Sequence, residues 1–224
     1  MVAPARESSL VVIDAGWLGY APALALQERL CRERRLDRID DHLLLLEHLP
    51  VVTLGQSGGA EDLRVSQADL AARGVELFET NRGGRATFHG PGQLVAYPIM
   101  RLAELDLHAY LWKLEEALLR LLAEWNIPAG REERYPGVWI DREKIAAIGV
   151  AVVGDVTMHG LALNVTTDLA SFELITPCGI RGRGVTSMER RLGQAPPMAA
   201  VKAALVRHFC QVFDLQVRYG SIPE

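Results

Sequence analysis

The sequence predicts an α+β fold, in which a single domain over residues 1–224 contains a mixed β-sheet flanked by helices. The 224 residues suffice to bury one large core. Hydrophobic residues make up 49% of the chain and charged residues 23%, the balance of an ordinary globular domain. Apolar segments typical of strands outnumber helical segments, which favours helices packed on a sheet.

Composition also narrows the classes of function and the expected location. No apolar run approaches the ~20 residues that cross a membrane, and Leu10–Ile13 is too short for a signal-peptide core, so we expect a cytoplasmic protein without membrane contacts. The cysteines at 31, 178 and 210 are odd in number and widely spaced, which suits a reducing compartment and suggests no zinc site. The net charge of −4 does not suggest nucleic-acid binding. We expect no metal.

Strands and helices are predicted to alternate in the first half of the chain. The predicted strands are the apolar runs 10–13, 42–48, 50–54 and 75–78. The second and third runs are close enough in sequence to form an antiparallel pair. A helix is predicted over 16–35, with Pro22 tolerated near its start. A second helix begins at the capping box formed by Ser66 and Asp69 and ends before Gly74.

The second half is predicted to contain a meander between two helices. Asp106 is expected to cap a helix over 107–126, and the final helix and strand are predicted at 198–213 and 215–219. The segments 137–140 and 145–153 flank the polar turn 141–144, which is a hairpin pattern. A third strand over 156–165 would complete the meander.

Two glycine-rich segments are candidate binding loops. In 80–97, the pair Gly83 and Gly84 permits positive φ angles and close backbone approach to a ligand. Gly90-Pro91-Gly92 indicates a tight turn before a strand over 94–100. We interpret 80–97 as a binding loop on the rim of the sheet. The other segment, 55–59, lacks the Gly-Lys-Ser/Thr ending of a P-loop, so phosphate binding there is the less favoured interpretation.

Two residues could perform nucleophilic chemistry. Cys178 lies in a stiff Pro-Cys-Gly turn, and its thiolate would need a neighbouring cation or base. The chain has only three lysines, at 113, 144 and 202, against 21 arginines. Of these two residue types, only lysine can exchange a proton in a protein. Lys144 could favour the thiolate or accept its proton. From composition alone, a loop thiol and a hairpin lysine remain open alternatives.

Five motifs resemble those of the octanoyltransferases of lipoate biosynthesis, and they occur in that family's order. They lie at residues 80–97, 137–140, 144–149, 159–165 and 177–179. The resemblance implies a fold like that of biotin and lipoate protein ligases. It also implies transfer of octanoate from octanoyl-acyl carrier protein to a lysine of lipoyl domains, without a cofactor. Cys178 would carry an acyl thioester, and Lys144 would lower the pKa of Cys178 and shuttle protons.

The same resemblance implies the binding residues and the acceptors. The substrate-binding residues would be Arg82, Gly83, Gly84, Arg85, Ala86, Thr87, Phe88, His89, Ala147, Ile148, Gly149, Gly160, Leu161 and Ala162. Small residues among them would leave room for a methylene chain. His89 could instead be a satisfied structural histidine. The acceptors would be the lipoyl domains of 2-oxoacid dehydrogenase complexes and the glycine cleavage H protein.

Other interpretations remain at this stage. An ATP-dependent lipoate or biotin protein ligase shares the fold group, but the ligase-like segment 181–184 follows the cysteine. A non-catalytic carrier-binding module and a thioesterase are further alternatives. Seven arginines could form either a solvated surface or a docking face for acidic carrier domains, namely Arg131, Arg134, Arg142, Arg181, Arg183, Arg190 and Arg191.

Overall fold

Two β-sheets organise the computed structural model, which describes residues 9–102, 105–176 and 183–222. Within these ranges one sheet has nine strands and the other three. Helices cover the larger sheet, so the predicted α+β class with a mixed sheet is confirmed.

The elements are numbered in chain order. The strands are β1 (Ser9–Leu18), β2 (Asp41–His48), β3 (Val51–Leu54), β4 (Glu76–Glu79), β5 (Ala86–His89), β6 (Gln93–Ile99), β7 (Gly130–Arg131), β8 (Gly137–Ile140), β9 (Glu143–Val153), β10 (Val156–Asn164), β11 (Gly184–Val185) and β12 (Gln216–Tyr219). The helices are α1 (Tyr20–Arg35), α2 (Gln67–Ala72), α3 (Leu107–Glu124), α4 (Met188–Leu192) and α5 (Met198–Phe213). Short 3-10 turns lie at Ala60–Asp62 and Leu169–Leu174.

The larger sheet mixes parallel and antiparallel pairing. Its order is β12-β1-β2-β6-β10-β9-β8-β7, and β11 pairs with β9 beside this path. β1 is parallel to both β12 and β2, whereas the neighbours from β2 to β7 are antiparallel. The predicted meander is therefore present as β8, β9 and β10.

Alternating side chains of the central strands build a core on each face of this sheet. In β2, Leu43 and Leu45 belong to the core beneath α3 and α5, whereas Leu44 and Leu46 pack with α1. Successive side chains of a strand point to opposite faces, so a continuous leucine run suits a strand covered on both sides. The central strands are thus buried on both faces of the sheet.

The smaller sheet has the order β4-β3-β5 and forms its own apolar cluster. β3 is parallel to β4 and antiparallel to β5. The ring of Phe88 on β5 meets that of Phe172 edge-on, with centroids 5.8 Å apart. The smaller sheet positions the start of the glycine-rich loop over the larger one.

Two sequence-based expectations were wrong. The segment 50–54 does not pair with 42–48, because β1 and β6 occupy both edges of β2, and β3 lies in the smaller sheet. The first helix begins at Tyr20 instead of residue 16, since β1 extends to Leu18 through an irregularity between Asp14 and Gly16. Gly16 adopts a φ of 62°, and its N–H donates to Asp14 Oδ1 at 3.0 Å. In the described part of the chain, no helix combines the length and the apolar character that crossing a membrane requires.

Candidate active site

A cavity between the two sheets gathers most of the predicted binding residues. The lining includes Lys144 and predicted residues from the loop after β4, from β5 and from the facing strands β9 and β10. These predicted residues are Arg82, Gly83, Gly84, Arg85, Ala86, Thr87, His89, Ala147, Ile148, Gly149, Gly160, Leu161 and Ala162. Phe88 does not line it, because adjacent side chains of β5 point to opposite faces and that of Phe88 packs in the small-sheet cluster.

The antiparallel register of β9 and β10 forms one wall of this cavity. Ala147 faces Ala162, Ile148 faces Leu161, and Gly149 faces Gly160, which places two distant sequence segments side by side. A Cβ atom on Gly160 would lie 2.2 Å from the carbonyl oxygen of Ala96, so the close approach of β6 requires glycine there.

The opposite wall is the loop after β4, and Arg82 anchors it. Arg82 is 7% exposed, and its Nη2 donates to the Thr53 carbonyl oxygen at 2.7 Å while Nε donates to Thr53 Oγ1 at 3.1 Å. The Gly83 N–H donates to the Val150 carbonyl oxygen at 2.9 Å. The loop is thereby bound to both β3 and β9, and Arg82 holds the cavity wall in place.

The glycine-rich segment 55–59 supports the same loop. The N–H groups of Gly55, Gln56 and Ser57 donate to carbonyl oxygens of residues 85, 82 and 84, respectively. A Cβ atom on Gly55 would meet the residue 84 carbonyl oxygen at 2.4 Å. Because these N–H groups are used in loop packing, they are not directed at a phosphate, and the less favoured phosphate interpretation gains no support.

Lys144 is a buried residue of β9, at 7% exposure. Its Nζ donates to the Pro136 carbonyl oxygen at 3.0 Å and lies 4.7 Å from the ring centroid of Trp139. The sequence placed Lys144 in the hairpin turn, which was wrong. The turn contains only Asp141 and Arg142, and Asp141 adopts the positive φ of 53° that so short a connection uses.

Lys144 lines three of the cavities that the described residues form. Besides the central one, it lines a second cavity with Gln93, Asn164 and Arg183, and a third with Leu111 and residues 134–136. A group reacting beside Nζ can therefore be approached from more than one direction.

His89 is held by a chain of side-chain hydrogen bonds. Gln93 Nε2 donates to Asn164 Oδ1 at 2.9 Å, so Gln93 Oε1 accepts from His89 Nδ1 at 2.7 Å. Asn164 Nδ2 in turn donates to the Thr186 carbonyl oxygen at 3.0 Å. Burial, assisted by the nearby His48, lowers the pKa of His89 to about 3. His89 is therefore neutral at pH 7, with Nδ1 protonated and Nε2 available as an acceptor.

Two further histidines near the cavity were given no role from the sequence. His159 lines the cavity, and its Nε2 lies 2.7 Å from Asn81 Oδ1. His48 Nδ1 donates to the Leu18 carbonyl oxygen at 2.8 Å, so its Nε2 accepts from the Tyr97 hydroxyl at 2.7 Å. Burial lowers the pKa of both imidazoles to about 4. These residues form a neutral polar region behind the cavity.

Tyr20 is another lining residue that sequence reasoning missed. It is 1% exposed, and burial raises the pKa of its hydroxyl, whereas the nearby Arg82 and the Thr80 side chain act in the opposite direction. Its ring contacts His48 and Phe78, at centroid distances of 5.4 and 5.0 Å. The only signal in the sequence was an aromatic residue at the start of a helix, which is equally typical of a core position.

Cys178 lies outside the described residues, as do Pro177, Gly179 and Arg181. On one side of the gap, the Thr176 N–H donates to the Asp62 carbonyl oxygen at 2.7 Å. On the other side, Val185 pairs directly with Lys144. The described chain thus resumes beside the buried lysine.

Most of the described arginines in the proposed docking face are paired with carboxylates. Arg131 contacts Glu115 and Glu116, Arg183 contacts Glu132, and Arg191 contacts Glu143. These pairs reduce the net positive charge of the surface. The described residues also contain no cluster of three or more His, Cys, Asp or Glu side chains suited to a metal ion.

Residues 19–210 match the family model described as the lipoyl protein ligase A/B catalytic domain. An octanoyltransferase from Chloroflexus aggregans is 47% identical over 213 residues, covering 93% of this chain and 96% of the relative. One from Myxococcus xanthus is 48% identical over 215 residues, covering 92% of this chain but 60% of the relative, so the chain spans less than two thirds of that protein.

Solved structures show the same fold at low sequence identity. A bipartite lipoate protein ligase from Thermoplasma acidophilum superposes with a TM-score of 0.75 at 19% identity, covering 97% of this chain and 88% of the other. A biotin protein ligase from Aquifex aeolicus gives a TM-score of 0.57 at 15% identity, covering 92% and 70%, respectively. The expected biotin and lipoate ligase-like architecture is confirmed.

Proposed function

The chain belongs to the octanoyltransferases, within the family of lipoyl protein ligase A/B catalytic domains, and we propose that it transfers an octanoyl group from octanoyl-acyl carrier protein to a lysine of lipoyl domains. The observation that carries the proposal is a buried lysine, Lys144, on the wall of a cavity lined by small and apolar residues. The proposed acceptors are the lipoyl domains of 2-oxoacid dehydrogenase complexes and the glycine cleavage H protein. The proposed unit is a single catalytic domain over residues 1–224.

In the first proposed half-reaction, Cys178 is the nucleophile. Its thiol gives its proton to the Lys144 amine, and the ammonium then stabilises the thiolate. The thiolate attacks the thioester carbonyl of the donor, and the bond between the acyl carbon and the carrier sulfur breaks. The departing thiolate takes the proton from Lys144, which leaves an octanoyl thioester on Cys178 and a neutral amine.

In the second half-reaction, the acceptor lysine attacks as a neutral amine. Its nitrogen forms an amide bond with the acyl carbon, and the bond to the Cys178 sulfur breaks. The proton lost by the attacking nitrogen passes to Lys144, which restores the thiolate and ammonium pair. The first step exchanges one thioester for another, and the second converts a thioester to a more stable amide, so neither requires ATP.

The surroundings of Lys144 fix the position of its amine. Its Nζ donates to the Pro136 carbonyl oxygen and lies over the face of Trp139. Pro136 and Trp139 are therefore positioning residues in the proposal.

The proposed acyl chain lies along β9 and β10. Ala147 and Ala162 face each other with short side chains, and Gly149 and Gly160 have none. The side chains of Ile148 and Leu161 point to the other face of the sheet, into the core beneath α3 and α5. The wall therefore consists of alanine methyl groups and glycine backbone, against which a methylene chain leaves water. The glycine-rich loop from Arg82 to His89, with Phe88 in a supporting position, closes the other side.

Intact-mass measurement after mixing with octanoyl-acyl carrier protein tests the proposal. We expect an octanoyl adduct on the wild type that disappears on addition of a lipoyl domain, together with the appearance of octanoylated acceptor. Cys178→Ser should lose amide transfer, and Lys144→Ala should remain folded but acylate at least ~100-fold more slowly, as for loss of a general base. Lys113→Ala, at a half-buried position on α3, is the matched control.

The outcomes separate the competing activities. Persistent amide transfer by Cys178→Ser would refute the covalent mechanism. Octanoylation of the acceptor from free octanoate and ATP would indicate a ligase, and adduct loss without an acceptor would indicate a thioesterase. Binding of the carrier without any acyl transfer would indicate a carrier-binding module.

A further inference from the structure

A groove on the surface leads to Lys144 and has no role in the steps above. Its volume is about 290 Å³, and its lining includes Leu107, Leu111, Arg134, Pro136 and Ile148. We propose that this groove binds the thiol arm of the carrier protein, with the phosphate at the far end of the arm held by Arg134. The inference rests on the proposed function and assigns the path by which its donor enters.

The groove shares six lining residues with the central cavity. Both are lined by Lys144, by Ile148 and Gly149, and by the loop residues 83–85. A thioester reacting beside Lys144 has two chains leaving its sulfur and carbonyl carbon in different directions. With the acyl chain in the central cavity, the thiol arm requires a second exit, and this groove provides one.

The walls of the groove fit an arm that alternates amides with methylene and methyl groups. Leu107 and Leu111 stand one turn apart on the same side of α3, and Leu107 is 37% exposed. Tyr135 and Pro136 line the groove together with residues 148–150 of β9. Burying the hydrocarbon parts of the arm against these side chains removes apolar surface from water, which is favourable.

Arg134 supplies the positive charge at the outer part of the groove. It is exposed, and it makes no ion pair with the residues that the structure describes, whereas Arg85 and Arg131 are each held by two carboxylates. Arg134 is two residues from Pro136, whose carbonyl accepts from Lys144 Nζ, so their Cα atoms are at most ~7 Å apart. A guanidinium donates two parallel hydrogen bonds to phosphate oxygens.

Charge favours the donor arm over the acceptor as the occupant. An acceptor lysine approaching along this groove would bring an ammonium past the exposed guanidinium of Arg134, and like charges repel. The cavity on the other side of Lys144 offers less to an anion, because Arg183 there is paired with Glu132 and lies over Trp139. The groove at Arg134 therefore suits an anionic arm.

The test compares three octanoyl donors with the same acceptor domain. The donors are octanoyl-acyl carrier protein, octanoyl-phosphopantetheine and octanoyl-pantetheine, which lacks the phosphate. For Arg134→Ala we expect KM to rise about 10- to 100-fold for the two phosphate-bearing donors and to stay unchanged for octanoyl-pantetheine, the size expected for one charge-assisted pair. Arg134→Lys should recover part of the loss, and Arg134→Glu should exceed it.

Arg73→Ala, at an exposed site after α2, changes net charge equally and should affect no donor. An equal effect of Arg134→Ala on all three donors, or no effect on any, would overturn the assignment of the groove. A wild-type protein inactive with all three donors would refute the proposed function and the groove together. Activity of the wild type with an unaffected Arg134→Ala would refute the groove alone.

Discussion

Lowering the pH from 7.5 to 5 should remove much of the free energy of unfolding, because the imidazoles of His48, His89 and His159 are buried in the neutral form, and burial also lowers the pKa of His42. The folded pKa is about 4 for His48 and His159 and about 3 for His89, against 6.5 for an unperturbed histidine. Between these values the unfolded state binds more protons than the folded state, so stability is complete above pH 6.5 and falls with decreasing pH.

The magnitude follows from the pKa differences. At pH 5, each of these histidines is protonated in the unfolded state but not in the folded state. The unfolded state gains this proton over the 1.5 pH units between 6.5 and 5, which lowers the free energy of unfolding by about 2 kcal/mol per residue. Three residues give about 6 kcal/mol, which is comparable to the whole stability of many domains. The carboxylates whose pKa is lowered by neighbouring arginines, such as Glu116, titrate below this window and contribute little.

Urea unfolding at several pH values between 7.5 and 5 measures this loss. We expect His48→Gln to reduce the pH-dependent loss by about 2 kcal/mol, whatever its effect on stability at pH 7.5. His108→Gln, at an exposed position, should leave the loss unchanged. A wild-type stability that changes by less than about 2 kcal/mol over this range would refute the reasoning, since the buried imidazoles would then be able to charge without unfolding.

Two pairs of substitutions test the packing around the cavity. Gly160→Ala should cost about 3 kcal/mol of stability in thermal or urea unfolding, since its Cβ atom would meet a backbone carbonyl oxygen at 2.2 Å. The control Gly130→Ala, whose Cβ atom would have no neighbour within 4 Å, should be neutral or slightly stabilising. Equal costs for the two substitutions would contradict the strand register. Tyr97→Phe breaks the hydrogen bond from its hydroxyl to His48 Nε2 and should cost about 1–2 kcal/mol of stability, while Tyr219→Phe, at an exposed position, should be neutral. Equal costs would show that the buried hydrogen bond contributes nothing.

Local patterns were sufficient to predict most individual elements. The final helix was predicted at 198–213 and is observed at those residues, because its apolar spacing and its flanking proline both mark it. The capping box at Ser66 forms as predicted, with Ser66 Oγ accepting from the Asp69 N–H at 3.1 Å. The strand at 137–140 also matches. In each case the determining interactions lie within a few residues of one another.

Pairing between distant strands was not predictable in the same way. The departure of β3 into a second sheet depends on β6 having taken the free edge of β2, nearly 50 residues later in the chain. The parallel contact between β1 and β12 joins residues more than 200 positions apart. Alternation of apolar residues indicates that a segment is a strand, but it does not identify the neighbouring strand.

The site was predictable where a backbone requirement was visible in the sequence. The paired glycines at 83 and 84 indicated close backbone approach, and the Gly83 N–H donates to the Val150 carbonyl oxygen. Gly149 and Gly160 were predicted only as small binding residues, and both lie where a Cβ atom would meet a backbone oxygen. Tyr20 and His48 gave no such signal, because an aromatic residue in an apolar helix or strand pattern predicts only a core position. Their place behind the cavity arises only when α1 packs against the sheet.

The facing pairs of β9 and β10 also limit how the cavity can be redesigned. At the Gly149–Gly160 pair, any side chain meets backbone atoms, at 3.1 Å from the Gly83 oxygen on one side and 2.2 Å from the Ala96 oxygen on the other. The Ala147–Ala162 pair already carries Cβ atoms that line the cavity. Narrowing the proposed acyl site therefore begins at the alanine pair, where an added methyl group extends from an existing Cβ atom.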